Sequence, residues 1–124
     1  MANYEVSVRE ASIELTARQR IMVKDTTDAI PLDTATQAGE VIINPAWWAI
    51  LDIHNEGSQD KDYHCFIVVD RNGKRYKTGS QSFWSAFINI WNELYAEGEE
   101  YEVKAYRMPS KNREGRDFIT CSLI

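Results

Sequence analysis

One segment of this 124-residue chain has helical periodicity, and it stands among strand signals. In Gln81 to Glu97 (QSFWSAFINIWNELYAE), Phe83, Phe87, Ile90, Trp91 and Leu94 recur at helical spacing, and Trp84, Ile88 and Tyr95 widen the apolar face. Asn89, Asn92, Glu93 and Glu97 stay on the wet side. Ser80 or Ser82 can cap the start and Gly98 can stop the helix. About three strand regions precede it and two follow. Few small folds have that order, and the aromatic stripe predicts a helix that fills a core rather than one that carries chemistry.

The strand regions can be read in turn. Glu40 to Asn55 (EVIINPAWWAILDIHN) is the strongest, with Asn44-Pro45 marking a bulge, bend or edge because proline cannot donate to a ladder. Past that point a period of two puts Trp47, Ala49, Leu51 and Ile53 on a core face and Trp48, Ile50, Asp52 and His54 on the other. Tyr63 to Asp70 and Lys74 to Thr78 flank Arg71-Asn72-Gly73, a hairpin signal. Tyr101 to Met108 and Asp117 to Ile124 are the last two strands, joined by Pro109 to Arg116 (PSKNREGR). Arg20 to Lys24 (RIMVK) reads as a short strand and Asp25 to Gly39 as an irregular loop. Tyr4 to Leu15 alternates loosely, so residues 1–12 are expected as an edge strand or a flexible arm. The order predicts one mainly β domain over residues 1–124, a five-stranded OB-fold-like barrel with one α-helix between strands 3 and 4. Such barrels present a strand face and its loops to an oligonucleotide or oligosaccharide.

Several functions find no support in the residues. The longest apolar runs, such as Ala46 to Leu51, are too short to span a bilayer, and the N-terminus lacks an apolar signal core, so a cytoplasmic protein without a membrane partner is expected. Cys65 and Cys121 lack zinc spacing and fall in apolar runs, where small thiols fill a core. His54 and His64 have no metal or triad companion in sequence. No nucleophile, metal or phosphate-loop constellation is visible, so neither an enzyme nor a cofactor is expected.

Charge supplies the positive indication. Residues 1–60 hold 4 Lys or Arg against 10 Asp or Glu, whereas residues 61–124 hold 10 against 9. Arg71, Lys74, Arg75 and Lys77 occur without an intervening acid, and Lys104, Arg107, Lys111, Arg113 and Arg116 form a second basic group. A polyanion site needs several cations on one surface. Aromatic side chains lie among them: Tyr76 in the hairpin, Tyr106 on one strand face with Lys104, and Phe118 beside the basic loop. Trp48 cannot share the inward face with Trp47 and is the expected exposed indole. Cations that hold a backbone while aromatics stack on bases are the pattern of single-strand binding. A rival reading is a protein-interaction module that uses Trp47-Trp48 and the acidic first half.

The run VVDRNGKRYKTGSQSFWSAFINIW, followed by YEVKAYRMPSKNREGRDFITCSLI, resembles the small single-stranded-DNA-binding proteins of tailed phages with protein-primed replication, and related Gram-positive mobile elements. The shared features are a hairpin with a Gly turn, a Ser-led helix, a V-K strand, a Ser-Lys loop with Gly and a terminal F-x-x-x-x-L strand. The resemblance implies a non-sequence-specific protein that coats displaced single-stranded DNA in the host cytoplasm, without cofactor or catalysis. It places Tyr76, Lys77, Tyr106, Lys111 and Arg116 near DNA. Single-stranded RNA is the alternative ligand, and replication or recombination proteins are further partners. The chain departs from the bacterial relatives in closing on SLI rather than on a long acidic tail, so recruitment through a tail is not expected.

Overall fold

A computed structural model describes residues 4–57, 61–110 and 117–124. In chain order the elements are β1 (Tyr4–Ala11), α1 (Ala17–Lys24), β2 (Ile30–Pro31), α2 (Leu32–Ala38), β3 (Val41–Ile43), β4 (Pro45–Asn55), β5 (Asp62–Asp70), β6 (Arg75–Thr78), α3 (Gln81–Tyr95), β7 (Val103–Pro109) and β8 (Asp117–Leu123). Strand outweighs helix, so the mainly β expectation holds. The described strands make two sheets, not one closed barrel, and three helices accompany them where one was expected. Contacts gather into two units, Met1–Ile30 with Ala46–Gly79, and Pro31–Pro45 with Ser80–Ile124.

The first unit contains the sheet ordered β1-β4-β5-β6-β2. Alternation along β4 and β5 sends Ala49, Leu51, Ile53, Cys65, Ile67 and Val69 into one core with Val23 of α1, and Val6, Val8 and Trp47 pack against it. The predicted inward set on β4 is therefore the observed one. Residues 4–11 form an edge strand, with Val6 opposite Ile53, Val8 opposite Leu51 and a register shift around Arg9. Bulges and charges of this kind discourage further strand pairing at an edge.

Two local readings change. Arg20 to Lys24 lies in a helix, because Thr16 and Gln19 close a capping box: the Gln19 N–H donates to Thr16 Oγ1 at 3.1 Å and the Thr16 N–H to Gln19 Oε1 at 2.9 Å. Two otherwise orphaned donors are satisfied, which favours the helix over the strand suggested by Ile21 and Val23. The segment read as an irregular loop contains α2, whose Leu32 and Thr36 are buried and whose Thr36 hydroxyl donates to the Leu32 carbonyl at 2.7 Å.

The β5–β6 hairpin forms as read. Asp70 Oδ1 accepts the N–H groups of Asn72 at 2.9 Å and Lys74 at 2.8 Å, and Gly73 sits at φ +87°, a conformation that favours glycine. β6 then pairs Tyr76 with Val68 and Arg75 with Val69.

The second unit contains the sheet β3-β7-β8. Val103, Ala105, Ile119 and Cys121 form its buried face, and α3 packs on β8 with Phe83 and Phe87 fully buried and stacked at 5.8 Å. Ser80 caps α3 by accepting the Phe83 N–H at 3.2 Å. The Ile124 N–H bonds the Glu102 carbonyl. Counting by twos along the uninterrupted β7–β8 register, the backbone of Ile119 points away from β7. Its carbonyl accepts the Ser82 hydroxyl at 2.7 Å, so the helix blunts the outer edge of β8. Cys65 and Cys121 are buried, and burial pushes the Cys121 thiol up to about 12.

Replacing Asp70 by Ala removes the acceptor for two turn N–H groups, and Gly73→Ala forces a side chain onto a left-handed backbone. Each should cost about 1–2 kcal/mol of stability, read as a lower denaturation midpoint with an unchanged slope.

Candidate nucleic-acid interface

The register of β7 and β8 decides which side chains share the face opposite α3. Lys104 lies opposite Ser122, Tyr106 opposite Thr120 and Met108 opposite Phe118, and Ile42 of β3 joins them opposite Lys104. This face is open: Ile42 is 46% exposed, Met108 40% and Phe118 37%. Tyr106 is half-buried, and its hydroxyl lies 2.7 Å from Ser122 Oγ. The Lys104 ammonium lies 5.5 Å from the Tyr106 ring centroid. Two aromatics, a cation and two hydroxyls thus line one strand pair, and the basic loop Pro109 to Arg116 springs from its Met108/Phe118 end.

The sequence placed Lys104 with Tyr106 from period two alone. The same alternation puts Met108 on that face, but it missed Thr120 and Ser122 as companions, because that grouping exists only once β7 and β8 are paired in register. Lys111, Arg113 and Arg116 lie outside the described residues.

The other expected site residues are disposed differently. Trp48 is 6% exposed, so it cannot stack on a base; its backbone is held by Ser12, whose Oγ accepts the Trp48 N–H at 2.9 Å. Trp47, expected inward, is only half-buried. Strand β4 is covered on both faces near residue 48, which an alternating pattern does not reveal. Tyr76 is 5% exposed, on a buried face with Phe66, Val68 and Thr78, and burial followed by the Asp70 charge raises its pKa.

Three cations serve the fold. Arg75 donates to the carbonyls of Met22 and Asp25, and Lys77 Nζ to Thr26 O at 2.9 Å, so both satisfy acceptors at and beyond the C-terminus of α1. Arg107 donates to the Asp33 carbonyl and to Thr36 Oγ1 at 3.1 Å, tying β7 to α2 from the face opposite Tyr106. Arg71 and Lys74 are exposed in the hairpin turn. The hairpin is therefore a weaker candidate than its composition suggested.

A second polar cluster lies on the first sheet, along an open groove of about 760 Å³ lined by Glu5, Arg9, Asp52, His54, Asp62 and His64. Arg9, Asp52, His54, Asp62 and His64 are engaged in ion pairs there. Asp52 Oδ1 meets His64 Nδ1 at 2.7 Å and Arg9 Nη1 at 3.4 Å. His54 meets Asp62 through Nδ1 and Glu56 through Nε2, both at 2.7 Å. A neutral imidazole has one N–H, so both contacts are satisfied only by the imidazolium. The hydrogen bond to Asp62, then that to Glu56, raises the His54 pKa above 6.5. Among the described residues no group of three or more His, Cys, Asp or Glu is placed to hold a metal ion, and no helix is long and apolar enough to cross a membrane.

A group with a raised folded pKa stabilises the fold fully below its unfolded pKa and loses that contribution as pH rises through the folded value. The His54 ring should thus titrate above 6.5 by NMR, and Asp62→Asn should bring it down. The stability gap between wild type and His54→Ala should be present in acid and vanish above the folded pKa. Comparison with known proteins finds no matching family model, no matching curated protein and no matching solved structure.

Proposed function

We propose that the open face of β7 and β8 binds single-stranded nucleic acid without sequence preference, with DNA as the first candidate and RNA as the alternative. The carrying observation is the convergence of Tyr106, Phe118 and Lys104 on one uncovered strand pair whose connecting loop is rich in Lys and Arg. Lys104 already occupies the Tyr106 ring. An exposed cation–π contact is worth about 0.5–1 kcal/mol, against about 1–3 kcal/mol for a stacked base. A base therefore displaces the ammonium, which is then free to meet the neighbouring phosphate.

The path of the chain adds support. One extended run, bent at Pro45, supplies β3 to one sheet and β4 to the other; β5, β6, α3, β7 and β8 follow, and β3 pairs with β7. We read this order of elements as a variant of the OB-type order, in which the loop between the last two strands is one of those used for oligonucleotides. The resemblance of residues 69–124 to phage and mobile-element single-strand-binding proteins agrees with this reading, and the role that follows is coating displaced strands during replication, with no chemical step.

If Lys104, Lys111, Arg113 and Arg116 each neutralise one phosphate, the logarithm of affinity should fall with the logarithm of salt with a slope of about −3. Tyr106→Ala and Phe118→Ala should each weaken oligonucleotide binding by about 1–3 kcal/mol, whereas Tyr76→Phe should leave it unchanged. Titration of single-stranded DNA, single-stranded RNA and duplex, followed by anisotropy, reads all of this. Affinity indifferent to salt, or to both aromatic substitutions, would rule the interface out.

A further inference from the structure

The character of α3 changes along its length. Phe83, Trp84 and Phe87 are buried in its first turns, Trp91 and Leu94 are half-buried, and Tyr95 is 67% exposed. Phe83, Phe87, Trp91 and Tyr95 follow one another at four-residue spacing, with successive ring centroids 5.8, 6.2 and 6.0 Å apart. This ladder starts in the core and ends in solvent.

Charge along the same stretch is of one sign. Gln81 to Val103 contains no Lys or Arg and five glutamates, Glu93, Glu97, Glu99, Glu100 and Glu102, all exposed. The C-terminus of a helix already carries the negative end of its dipole, where cations stabilise and acids do not. Yet the last turn of α3 has no basic residue; it carries Glu93, and Glu97 follows just beyond the cap at Ala96. Neither the exposed rings nor the acids follow what stability alone favours, and such local conflicts concentrate where a surface has another use.

We infer that Trp91 to Glu102 dock a cationic segment of a partner protein, which sets an apolar side chain against the Trp91/Tyr95 rings and Lys or Arg side chains against the glutamates. The sign of the charge selects this occupant: nucleic acid and anionic lipid are both repelled, whereas a basic polypeptide is attracted and its apolar anchor desolvated. The inference stands independently of nucleic-acid binding by β7 and β8.

The probe is a lysine-rich amphipathic peptide with leucine anchors and no tryptophan, titrated against the intact chain by calorimetry and tryptophan fluorescence. Saturable, salt-sensitive binding is expected, reduced roughly tenfold by E93K/E97K and by Tyr95→Ala. E93K/E97K should melt at or above the wild-type temperature, because it replaces acids at the negative end of the helix dipole by cations, which separates lost docking from lost folding. Several outcomes overturn the inference. These are no saturation, equal binding to wild type and E93K/E97K, equal binding of a glutamate-rich peptide with the same anchors, or equal binding of oligolysine without anchors. Self-association that disappears in Tyr95→Ala would overturn it as well, by making a second copy the occupant.

Discussion

Pro45 sets the condition on which the rest of the arrangement depends. The run from Val41 to Asn55 is apolar enough to form one long strand, but a proline in its interior has no N–H to give to a ladder. The chain therefore stops pairing as β3 and resumes as β4, and the two halves serve different sheets. Pro45 is fully buried, so the interruption is built into the packing rather than tolerated at an edge. Because β3 pairs with β7, the strand that bears Lys104 and Tyr106 is anchored on one side by β3 and on the other by β8. The candidate binding face is thus a consequence of where the first long strand is broken.

The cations show how one residue type is divided between fold and surface. Helices leave their last carbonyls without intrahelical partners, and the turn that follows adds more. Arg75 and Lys77 reach those acceptors at and beyond the end of α1, and Arg107 ties β7 to α2 through the Asp33 carbonyl and the Thr36 hydroxyl. Each is a basic residue that a count of charges assigns to phosphates and that the fold instead uses internally. Among the described residues, what remains is smaller and more aromatic: Lys104, Tyr106 and Phe118 on β7 and β8, with Arg71 and Lys74 exposed in the hairpin turn.

Much of the local structure is legible in the residues because its causes are local. The Ser80-led helix, the Asp70 to Gly73 turn, the buried thiols and the Ala49/Leu51/Ile53 face each depend on neighbours within a few positions. The capping box at Thr16 was equally available, as the spacing T-A-R-Q, but the apolar pair Ile21 and Val23 suggested a strand. For α2 the local signal is poor, since its seven residues present a single large apolar side chain; Arg107, distant in sequence, supplies partners at Asp33 and Thr36. Among the site residues, Lys104 and Tyr106 could be grouped from alternation, while Trp48 and Tyr76 could not be recognised as buried. Alternation tells which residues share a face and nothing about whether that face is covered.

The amino-acid sequence by itself determined the α3 helix and its cap, the hairpin turn, the core face of β4 and the pairing of a cation with an aromatic on one strand, because hydrogen-bonding geometry and side-chain period act over a few residues. Only the tertiary structure decided that the strands divide between two sheets, that Trp48 and Tyr76 are buried, that three of the expected phosphate ligands are tethers, and that Phe118, Thr120 and Ser122 share the face of Tyr106. The physical reason is that exposure belongs to an arrangement of elements: a side chain becomes a surface or a core according to which strand pairs beside it and what packs over both.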